Sequence, residues 1–382
     1  MTRVMLLVLC LSLVTSLARS AEFRRLPIDV YVDKMKGGWA GQMIGVSYGA
    51  PTEFKACGKI YEDPIAWSPD RVDNSLNQDD VYVELSFLDA IERYGLDITY
   101  EQMGKAFAET QFNLWHANKV GRENCRNGIM PPESGSPKYN DHYADIDFQI
   151  ESDLFGLINP GMPVSSNQLC GRFGRIMNSG DGLYGGMFMA AMYTEAFFEK
   201  DPLKIVRVGL RAIPPQSVYA KTIRDVIRWR LLYPHDWRKT WAKIQEKYAA
   251  HPSGKCSTDP NGFNIDASLN GAYVVVGLLY GEGDLGKTLE ISTRCGQDSD
   301  CNPANAGGVL CTALGYSAIP EEYKGGIPAI SDKNFAFVPY SFNTIIPACE
   351  KLARENIKRA GGREENGVFL IPVQRPVPPS TD

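Results

Sequence analysis

Apolar residues recur at a spacing close to 3.6 along most of the chain, and sustained alternation of apolar and polar residues is rare. Connections such as PPESGSPKYND (131–141) are rich in Pro, Gly and Asn, which end regular structure. The pattern predicts an all-α fold, a compact single-domain array of many short helices. The predicted helices cover about 29–48, 80–94, 100–119, 147–158, 164–176, 182–199, 203–213, 216–232, 237–249, 265–281, 285–293, 303–315 and 342–359.

The two ends of the chain differ from this pattern. Residues 1–20 have a basic start, a short apolar run and small residues before Ala21, which is typical of a cleaved signal peptide. We therefore expect a secreted or periplasmic protein with no membrane segment after cleavage. The helical domain is predicted to span 21–360. Residues 361–382 form a Pro-rich C-terminal extension, expected to be partly disordered apart from a short extended segment.

Composition narrows the class of protein. The 382 residues are 44% hydrophobic and carry a formal net charge of −5, without a basic stretch, so neither nucleic acid nor an anionic membrane is an expected partner. The four histidines are scattered and no Cys-x-x-Cys pair occurs, which argues against a structural zinc site. Eight cysteines follow residue 20, and an even number in an exported protein permits disulfides.

One short stretch, GQDSDCNPANAGG (296–308), places two carboxylates at a predicted helix entrance. Asn302 before Pro303 is a favourable helix start, with Asn as the N-cap and Pro at the first helical position. Asp298 and Asp300 then lie on the turn that leads into the helix. In isolation, such residues are more often solvated or capping groups than metal ligands.

A second acidic pair, Asp79 and Asp80, precedes the amphipathic helix predicted from residue 80. Alone, this pair is also typical of a helix N-terminus, where acids are favoured. Two such pairs brought together would repel strongly unless a cation lay between them. Oxygen ligands suit Mg²⁺ or Mn²⁺, and four carboxylates suffice for two ions about 4 Å apart.

The segment KGGWAGQMIGVSYGAPTEF (36–54) contains a glycine at every fourth position. A glycine stripe weakens a helix unless another backbone approaches closely, so it predicts tight helix packing. The helix then breaks at Gly49-Ala50-Pro51, and Glu53 follows as a single acid in an otherwise apolar neighbourhood.

These stretches together resemble the ADP-ribosylglycohydrolase family, in particular its dinitrogenase-reductase-activating type. The matching motifs are GAPTEF at 49–54, QDD at 78–80 and GQDSDC at 296–301, in the family's order, and the resemblance spans about 30–318. It implies an all-α fold around a central dinuclear metal cleft with two Mg²⁺ or Mn²⁺ ions. The stretch MNSGDGLYGGMFMAAM (177–192) is similar to the family's substrate-side loop and following helix, although a plain turn before a core helix explains it equally well.

The resemblance also implies roles for individual residues. The implied metal ligands are Gln78, Asp79, Asp80, Asp298, Asp300 and Cys301. The implied catalytic residues are Glu53, Asp80 and Asp298, and the implied substrate-binding residues are Asn178, Gly180, Asp181, Gly182 and Tyr184.

Two residues depart from the family pattern. Gln78 replaces Thr or Ser, and Cys301 replaces Thr; a thiol is a poor ligand for Mg²⁺. Cys301 has an alternative role in a disulfide, with Cys295 as one partner. The acidic run 142–153 contains Asp147, Glu151 and Asp153, which either line the cleft or form a solvated helix face.

The function expected from the sequence is metal-dependent hydrolysis of a ribosyl-type glycosidic bond by a monomer. The substrate is either an ADP-ribosylated molecule or a small glycoside. The alternatives are an exported glycosidase for another furanoside or N-glycoside, and a non-catalytic protein that binds ribose or nucleotides through metal. A structural protein on the same scaffold is disfavoured because all four aspartates are present.

Overall fold

The computed structural model describes residues 22–250, 252–256 and 262–380, so the predicted signal peptide lies outside the described residues. Helices dominate, which confirms the all-α prediction. None of the helices in these ranges combines the length and apolar character needed to cross a membrane. The elements are β1 Phe23–Pro27, α1 Ile28–Gly49, α2 Asp79–Tyr94, α3 Tyr100–Glu109, α4 His116–Arg126, α5 Asp147–Ile150, α6 Asp153–Leu157, α7 Pro163–Phe173, α8 Gly180–Ala196, α9 Pro202–Ala212, α10 Val218–Leu232, α11 Trp237–Ile244, α12 Ala267–Gly281, α13 Leu285–Arg294, α14 Cys301–Leu314, α15 Glu321–Lys324, α16 Phe342–Arg359, β2 Arg363–Glu365 and β3 Val368–Pro372.

The stripe of glycines on α1 packs against α14. A Cβ atom on Gly41 would overlap the carbonyl oxygen of Gly307, and one on Gly45 would overlap that of Pro303. The two backbones therefore approach more closely than side chains would permit. This contact confirms the predicted tight packing, and it holds the C-terminal end of α1 beside the N-terminal end of α14.

A small antiparallel sheet in the order β1-β3-β2 joins the two ends of the described chain. Phe23 pairs with Pro372 and Pro27 pairs with Val368. Phe369 and Ile371 of β3 are buried in the hydrophobic core. Part of the segment assigned from the sequence to a C-terminal extension is therefore paired and packed against the helical domain.

One predicted helix, 100–119, is interrupted in the structure. α3 ends at Glu109 and α4 begins at His116. Between them, Phe112 and Leu114 are buried while their neighbours are exposed, which is the alternation of an extended segment. The carbonyl of Phe112 accepts a 2.6 Å hydrogen bond from the guanidinium of Arg122, a tertiary contact that local spacing does not reveal.

The predicted helix 147–158 is also interrupted, between α5 and α6. The break falls at Glu151 and Ser152. Glu151 is fully buried and its carboxylate accepts a hydrogen bond from the side chain of Asn118 on α4. Asp147 of the short α5 and Glu151 directly after it thus face α4 and are shielded from solvent.

Candidate active site and metal centre

The turn after α1 carries Glu53 and is tied to the turn before α14. The hydroxyl oxygens of Thr52 and Ser299 lie 2.7 Å apart, and the Phe54 N–H donates to the Gln297 carbonyl at 3.1 Å. Glu53 lies between these two links. The close approach of α1 and α14 therefore places Glu53 beside the aspartates at 298 and 300.

The turn before α14 holds those two aspartates at the helix entrance. α14 begins at Cys301 with Asp300 as its N-cap, so the prediction of Asn302 as the N-cap was wrong by two residues. The N–H of Asn302 donates to the Asp298 carbonyl at 3.1 Å, which extends the hydrogen-bonded turn toward the N-terminus. Pro303 is tolerated because the N–H groups of the first turn lack intrahelical partners.

The second acidic pair occupies the first turn of α2. A 3₁₀ segment, Pro69–Asn77, leads to Gln78, whose extended backbone (φ −106°, ψ 138°) makes it the N-cap residue. Asp79 is partly exposed, whereas Asp80 is fully buried. The Ser47 hydroxyl on α1 donates to the Val72 carbonyl at 3.4 Å, which links this segment to α1.

The structure brings five of the six predicted ligands into two overlapping groups. Potential ligand atoms of Asp79, Asp80 and Cys301 lie within 4.8 Å of one another, and so do those of Asp298, Asp300 and Cys301. Cys301 belongs to both groups, which places its sulfur between the two acidic pairs. Either group could hold a divalent cation.

The sixth predicted ligand, Gln78, lies at the wall of the same cavity. Its side-chain amide donates to the Asn74 side chain at 2.7 Å. Its amide oxygen is the atom that suits a hard cation.

Cys301 is a free thiol, and so is Cys295, so the alternative of a disulfide between them was wrong. The Cys301 thiol donates instead to Oδ2 of Asp80 at 3.3 Å.

Unpartnered oxygens test whether these residues fit a metal. Among the described residues, Oδ1 of Asp80 and Oδ1 of Asp300 are buried and accept no hydrogen bond. Buried carboxylate oxygens without donors are costly, and a coordinated cation or its bound water would satisfy them. The donor set of aspartate oxygens fits a hard divalent cation such as Mg²⁺ or Mn²⁺.

The carboxyl groups of the site have strongly raised pKa values. Burial, followed by the charge of Glu53, raises the pKa of Asp298 to about 8. Burial, followed by the charges of Asp79 and Asp300, raises that of Asp80 well above its usual value. The Glu53 side chain is exposed to solvent on one side. Partial desolvation by the surrounding protein, followed by the charges of Asp300 and Asp79, nevertheless raises its pKa to about 8. Bound metal ions would supply positive charge, which would favour the ionised form of these groups and lower their pKa values.

A cavity of about 210 Å³ opens onto this cluster. Its acidic wall contains Glu53, Asp79, Asp298, Asp300 and also Asp147. The remaining wall is formed by polar or apolar side chains, namely Phe54, Asn77, Gln78, Tyr82, Trp115, His116, Asn118, Ile146, Ile150, Ile265 and Cys301.

α4 and α5 contribute residues that the motifs alone did not identify. The Asn118 N–H donates to Oδ1 of Asp147 at 2.8 Å, and its side chain donates to Glu151. Asn118 and His116 were missed because they lie in the first turn of α4, and the sequence analysis merged the start of α4 into the predicted helix 100–119. The acidic spacing of Asp147 and Glu151 was the only available signal. The cleft interpretation holds for Asp147, which lines the cavity. Glu151 and Asp153 are buried and do not line it, so the alternative of a solvated helix face was wrong for all three.

The five predicted substrate-binding residues lie elsewhere. Gly180, Asp181 and Tyr184 line a second cavity of about 600 Å³, and no residue is common to the walls described for the two cavities. Asn178 is fully buried; its side chain accepts from the Phe148 N–H and donates to the Asp145 carbonyl, both at 3.0 Å. It thereby positions the turn that carries Asp147.

The remaining predicted substrate residues also have internal contacts. Asp181 accepts a 2.9 Å hydrogen bond from the Tyr219 N–H at the start of α10. A side chain at Gly182 would clash with Asn178 and with the Tyr143 backbone. A substrate role for this loop stays a prediction.

The sequence matches the profile of the family described as ADP-ribosylglycohydrolase over residues 27–357. The chain belongs to the ADP-ribosylglycohydrolase family. A solved structure, "ADP-ribosylglycohydrolase-related protein complex", resembles it with a TM-score of 0.54 at 14% identity. That match covers 86% of this chain and 99% of the other, and at this identity it supports the fold alone. No curated protein matches the sequence.

Family membership supports a glycohydrolase-type function for this chain. The two groups of acidic residues could bind metal.

Proposed function

We propose that this protein is a metal-dependent hydrolase that cleaves the bond at the anomeric carbon of a ribosyl-type furanoside. The observation that carries the proposal is the convergence of Glu53 with the carboxylates of α2 and α14 on one cavity. The cluster is built from three separate segments, namely the turn after α1, the first turn of α2 and the turn before α14. Acidic residues that only capped helices or faced solvent would have no reason to converge on one cavity. Because residues 1–20 have the pattern of a signal peptide, we also propose that the protein acts outside the cytoplasm.

Asp79, Asp80, Asp298 and Asp300 would hold two divalent cations, Mg²⁺ or Mn²⁺, with the Gln78 amide oxygen and the Cys301 sulfur nearby. When bound, such ions orient vicinal hydroxyls, lower the pKa of water and neutralise charge. Asp80 and Asp298 each belong to one of the two candidate ligand groups, and both are buried, which restricts the movement of their side chains. Pre-positioning of this kind favours reaction at one ring carbon.

Glu53 is the proposed acid–base group. The surrounding protein raises its pKa above the usual value, and a raised pKa favours the protonated form that a proton donor to a leaving group requires. After donating, the carboxylate can accept a proton from water as the second product forms. Its position at the cavity wall gives it access to a bound sugar.

A hydrolysis assay followed by NMR tests the proposal. The substrates are ADP-ribosyl-arginine, ADP-ribosyl-serine, nucleosides and synthetic furanosides, each with Mn²⁺, Mg²⁺ or a chelator. We expect release of the free sugar product only with metal. Folded Asp79→Asn and Asp298→Asn variants should lose this activity because an amide binds the cation more weakly than a carboxylate does.

Asp284→Asn provides the matched control. Asp284 is an exposed N-cap residue of α13, and Asn caps a helix equally well. Full activity of the folded Asp79→Asn and Asp298→Asn variants, or equal activity in chelator, would contradict the proposal. Metal binding without turnover on any substrate would favour a binding protein.

A further inference from the structure

We propose that His116 binds the leaving group of the glycoside through a hydrogen bond from its imidazole ring. This inference rests on the proposed function and deepens it, because it assigns a contact beyond the sugar to a residue of the same cavity. It is carried by the position of the ring, by its unbonded nitrogens, by the backbone conformation of the residue and by the contacts that hold it in place.

His116 lies at the rim of the cavity, in a row with two phenylalanine rings. Phe54 directly follows Glu53, and its ring centroid lies 4.8 Å from that of Phe263. The Phe263 ring in turn lies 5.8 Å from the His116 ring. Both Phe54 and His116 line the cavity. A group bonded to the anomeric carbon beside Glu53 can therefore extend along this row and reach His116.

The imidazole nitrogens of His116 are available to a ligand. Within residues 22–250, 252–256 and 262–380, neither nitrogen has a hydrogen-bond or ion-pair partner. Burial, opposed by the charge of Asp145 and reinforced by that of His142, lowers the pKa of His116. Near pH 7 the ring is therefore neutral and offers one N–H donor and one acceptor nitrogen. On the same wall, by contrast, the Asn118 N–H and the Asp147 carboxylate are bonded to each other.

The backbone at His116 is strained. Its φ of +39° lies in the left-handed region, which residues other than glycine rarely adopt. Such residues persist where the surrounding structure fixes them, and they are frequent at ligand-binding sites. The Lys119 N–H donates to the Trp115 carbonyl at 2.9 Å, which closes the first turn of α4 around His116. A contact between the ring and a ligand explains why this conformation is kept.

A second ring contact, with His142, restricts the His116 side chain. The centroids of the two imidazole rings lie 5.4 Å apart. Nδ1 of His142 is hydrogen-bonded to Oδ2 of the buried Asp145 at 2.6 Å. The His142 N–H donates to the Asn140 side chain at 3.0 Å. The Asn140 amide in turn donates to the Ala117 carbonyl at 3.0 Å, so the turn that carries His142 is tied to α4.

The kinetics of His116→Phe test the contact. Phenylalanine keeps an aromatic ring in the row and lacks the nitrogens, so the variant should fold. The substrates are ADP-ribosyl-arginine, ADP-ribosyl-serine and 4-nitrophenyl ribofuranosides, whose leaving groups all have hydrogen-bonding atoms. With Mn²⁺, we expect KM for a compound that the wild type cleaves to rise about tenfold, as for the loss of one hydrogen bond. The inhibition constant of the free sugar product should stay unchanged, because the product lacks the leaving group.

His235→Phe is the matched control, since His235 is exposed and does not line the cavity. His116→Gln keeps a side-chain hydrogen-bonding group and should recover part of the lost affinity. An unchanged KM in folded His116→Phe would overturn the inference. Equal rises in KM and in the inhibition constant of the product would place His116 against the sugar, and would overturn it as well.

Imidazole ¹⁵N NMR provides a readout that does not depend on turnover. The chain has four histidines, so their resonances can be assigned by substitution. In the Mg²⁺-loaded Glu53→Gln variant, addition of the ADP-ribosyl or nitrophenyl compound that the wild type cleaves should move the His116 resonances. Those of His235 should stay in place. Unmoved His116 resonances at saturation would contradict a hydrogen bond to this ring.

The two proposals fail in different ways. Normal kinetics of His116→Phe, beside a wild type that cleaves only with metal, would remove His116 from the substrate contacts and leave the hydrolase proposal standing. No cleavage of any compound by the Mn²⁺-loaded wild type would overturn the proposed function, and this inference with it.

Discussion

Glu53 lines the cavity beside the aspartates of the two candidate ligand groups, but it belongs to neither group. The turn that carries it is fixed by hydrogen bonds on both sides, through Thr52 and Phe54. A side chain held in this way can act on a substrate without taking part in metal binding. Chemistry and metal binding can therefore be separated by substitution.

We predict that Glu53→Gln lowers kcat by about 10²–10⁴-fold, the usual contribution of general acid–base catalysis. Mn²⁺ affinity, measured by isothermal titration calorimetry, should stay close to that of the wild type. Glu101→Gln is the control, since Glu101 forms an exposed ion pair with Lys105 on α3 and such pairs contribute little. Loss of Mn²⁺ binding in Glu53→Gln would show that Glu53 is a ligand instead.

Cys301 determines the expected metal preference. Its sulfur lies in both ligand groups, and sulfur favours soft cations over Mg²⁺. We predict that Cys301→Thr shifts the ratio of Mg²⁺ to Cd²⁺ affinity toward Mg²⁺ by about tenfold, ~1.4 kcal/mol. Wild-type protein with Cd²⁺ should show an ultraviolet thiolate charge-transfer band that the variant lacks. An identical affinity ratio in both proteins would place the sulfur outside the metal shell.

At this scale the sequence was informative about residues that lie in motifs. The aspartates at 79, 80, 298 and 300 could be predicted to converge, because two acidic pairs at helix entrances have a shared physical explanation. Asn118 could not be predicted, since this residue type has no distinctive spacing. Its place in the cavity depends on where α4 begins, which a hydrogen bond from Arg122 to the preceding extended segment helps to determine.

Among the elements, α1 and α14 determine how the site is assembled. Their close contact requires glycine on α1, and it aligns the Glu53 turn with the turn before α14. The four-residue glycine spacing predicted this contact without revealing the partner helix. The stripe therefore serves both packing and site geometry.

We predict that Gly45→Ala destabilises the fold by roughly 1–3 kcal/mol, because its methyl group would overlap the Pro303 carbonyl, a backbone atom that cannot rotate away. Weaker Mn²⁺ binding should accompany the change. Gly171→Ala on α7 is the matched control: its methyl group would meet only the flexible end of Met187 at 3.2 Å. In urea unfolding we expect the control within about 1 kcal/mol of wild type. Equal stability of the two variants would contradict the packing argument.

Helices with uninterrupted apolar spacing were well predicted, for example α16 at 342–359 and α1 within one residue at each end. Failures occurred where side chains bond to distant elements. The break between α5 and α6 follows from the contact of Glu151 with Asn118, which has no signature in local spacing. Likewise, β3 pairs with β1, more than 300 residues away, and β2 pairs in turn with β3.

For the whole molecule, the sequence predicted the helical class and the location of the acidic cluster, but not the shape of the cavity. The rim depends on α4, on the turn at Phe54 and on residues near Phe263, which are brought together only by folding. The interior also buries carboxyl groups beyond the cluster. Glu84, for instance, is fully buried and accepts hydrogen bonds from Gln42 and from the Leu154 N–H.

The buried carboxyl groups predict how the stability of the metal-free protein depends on pH. Burial raises the folded-state pKa of Glu84 and of Asp298 to about 8, far above the value near 4 of an unfolded chain. Between these values the folded state binds more protons at these two groups, so the stability that they contribute is fully present below pH 4 and is lost as pH rises through 8. In chelator, the Tm should therefore fall from pH 5 to pH 8, and Mn²⁺ should raise it most at pH 8, where it replaces protons at Asp298. Asp298→Asn should flatten the fall, since an amide does not titrate, and a metal-free Tm that rises over this range would contradict the argument.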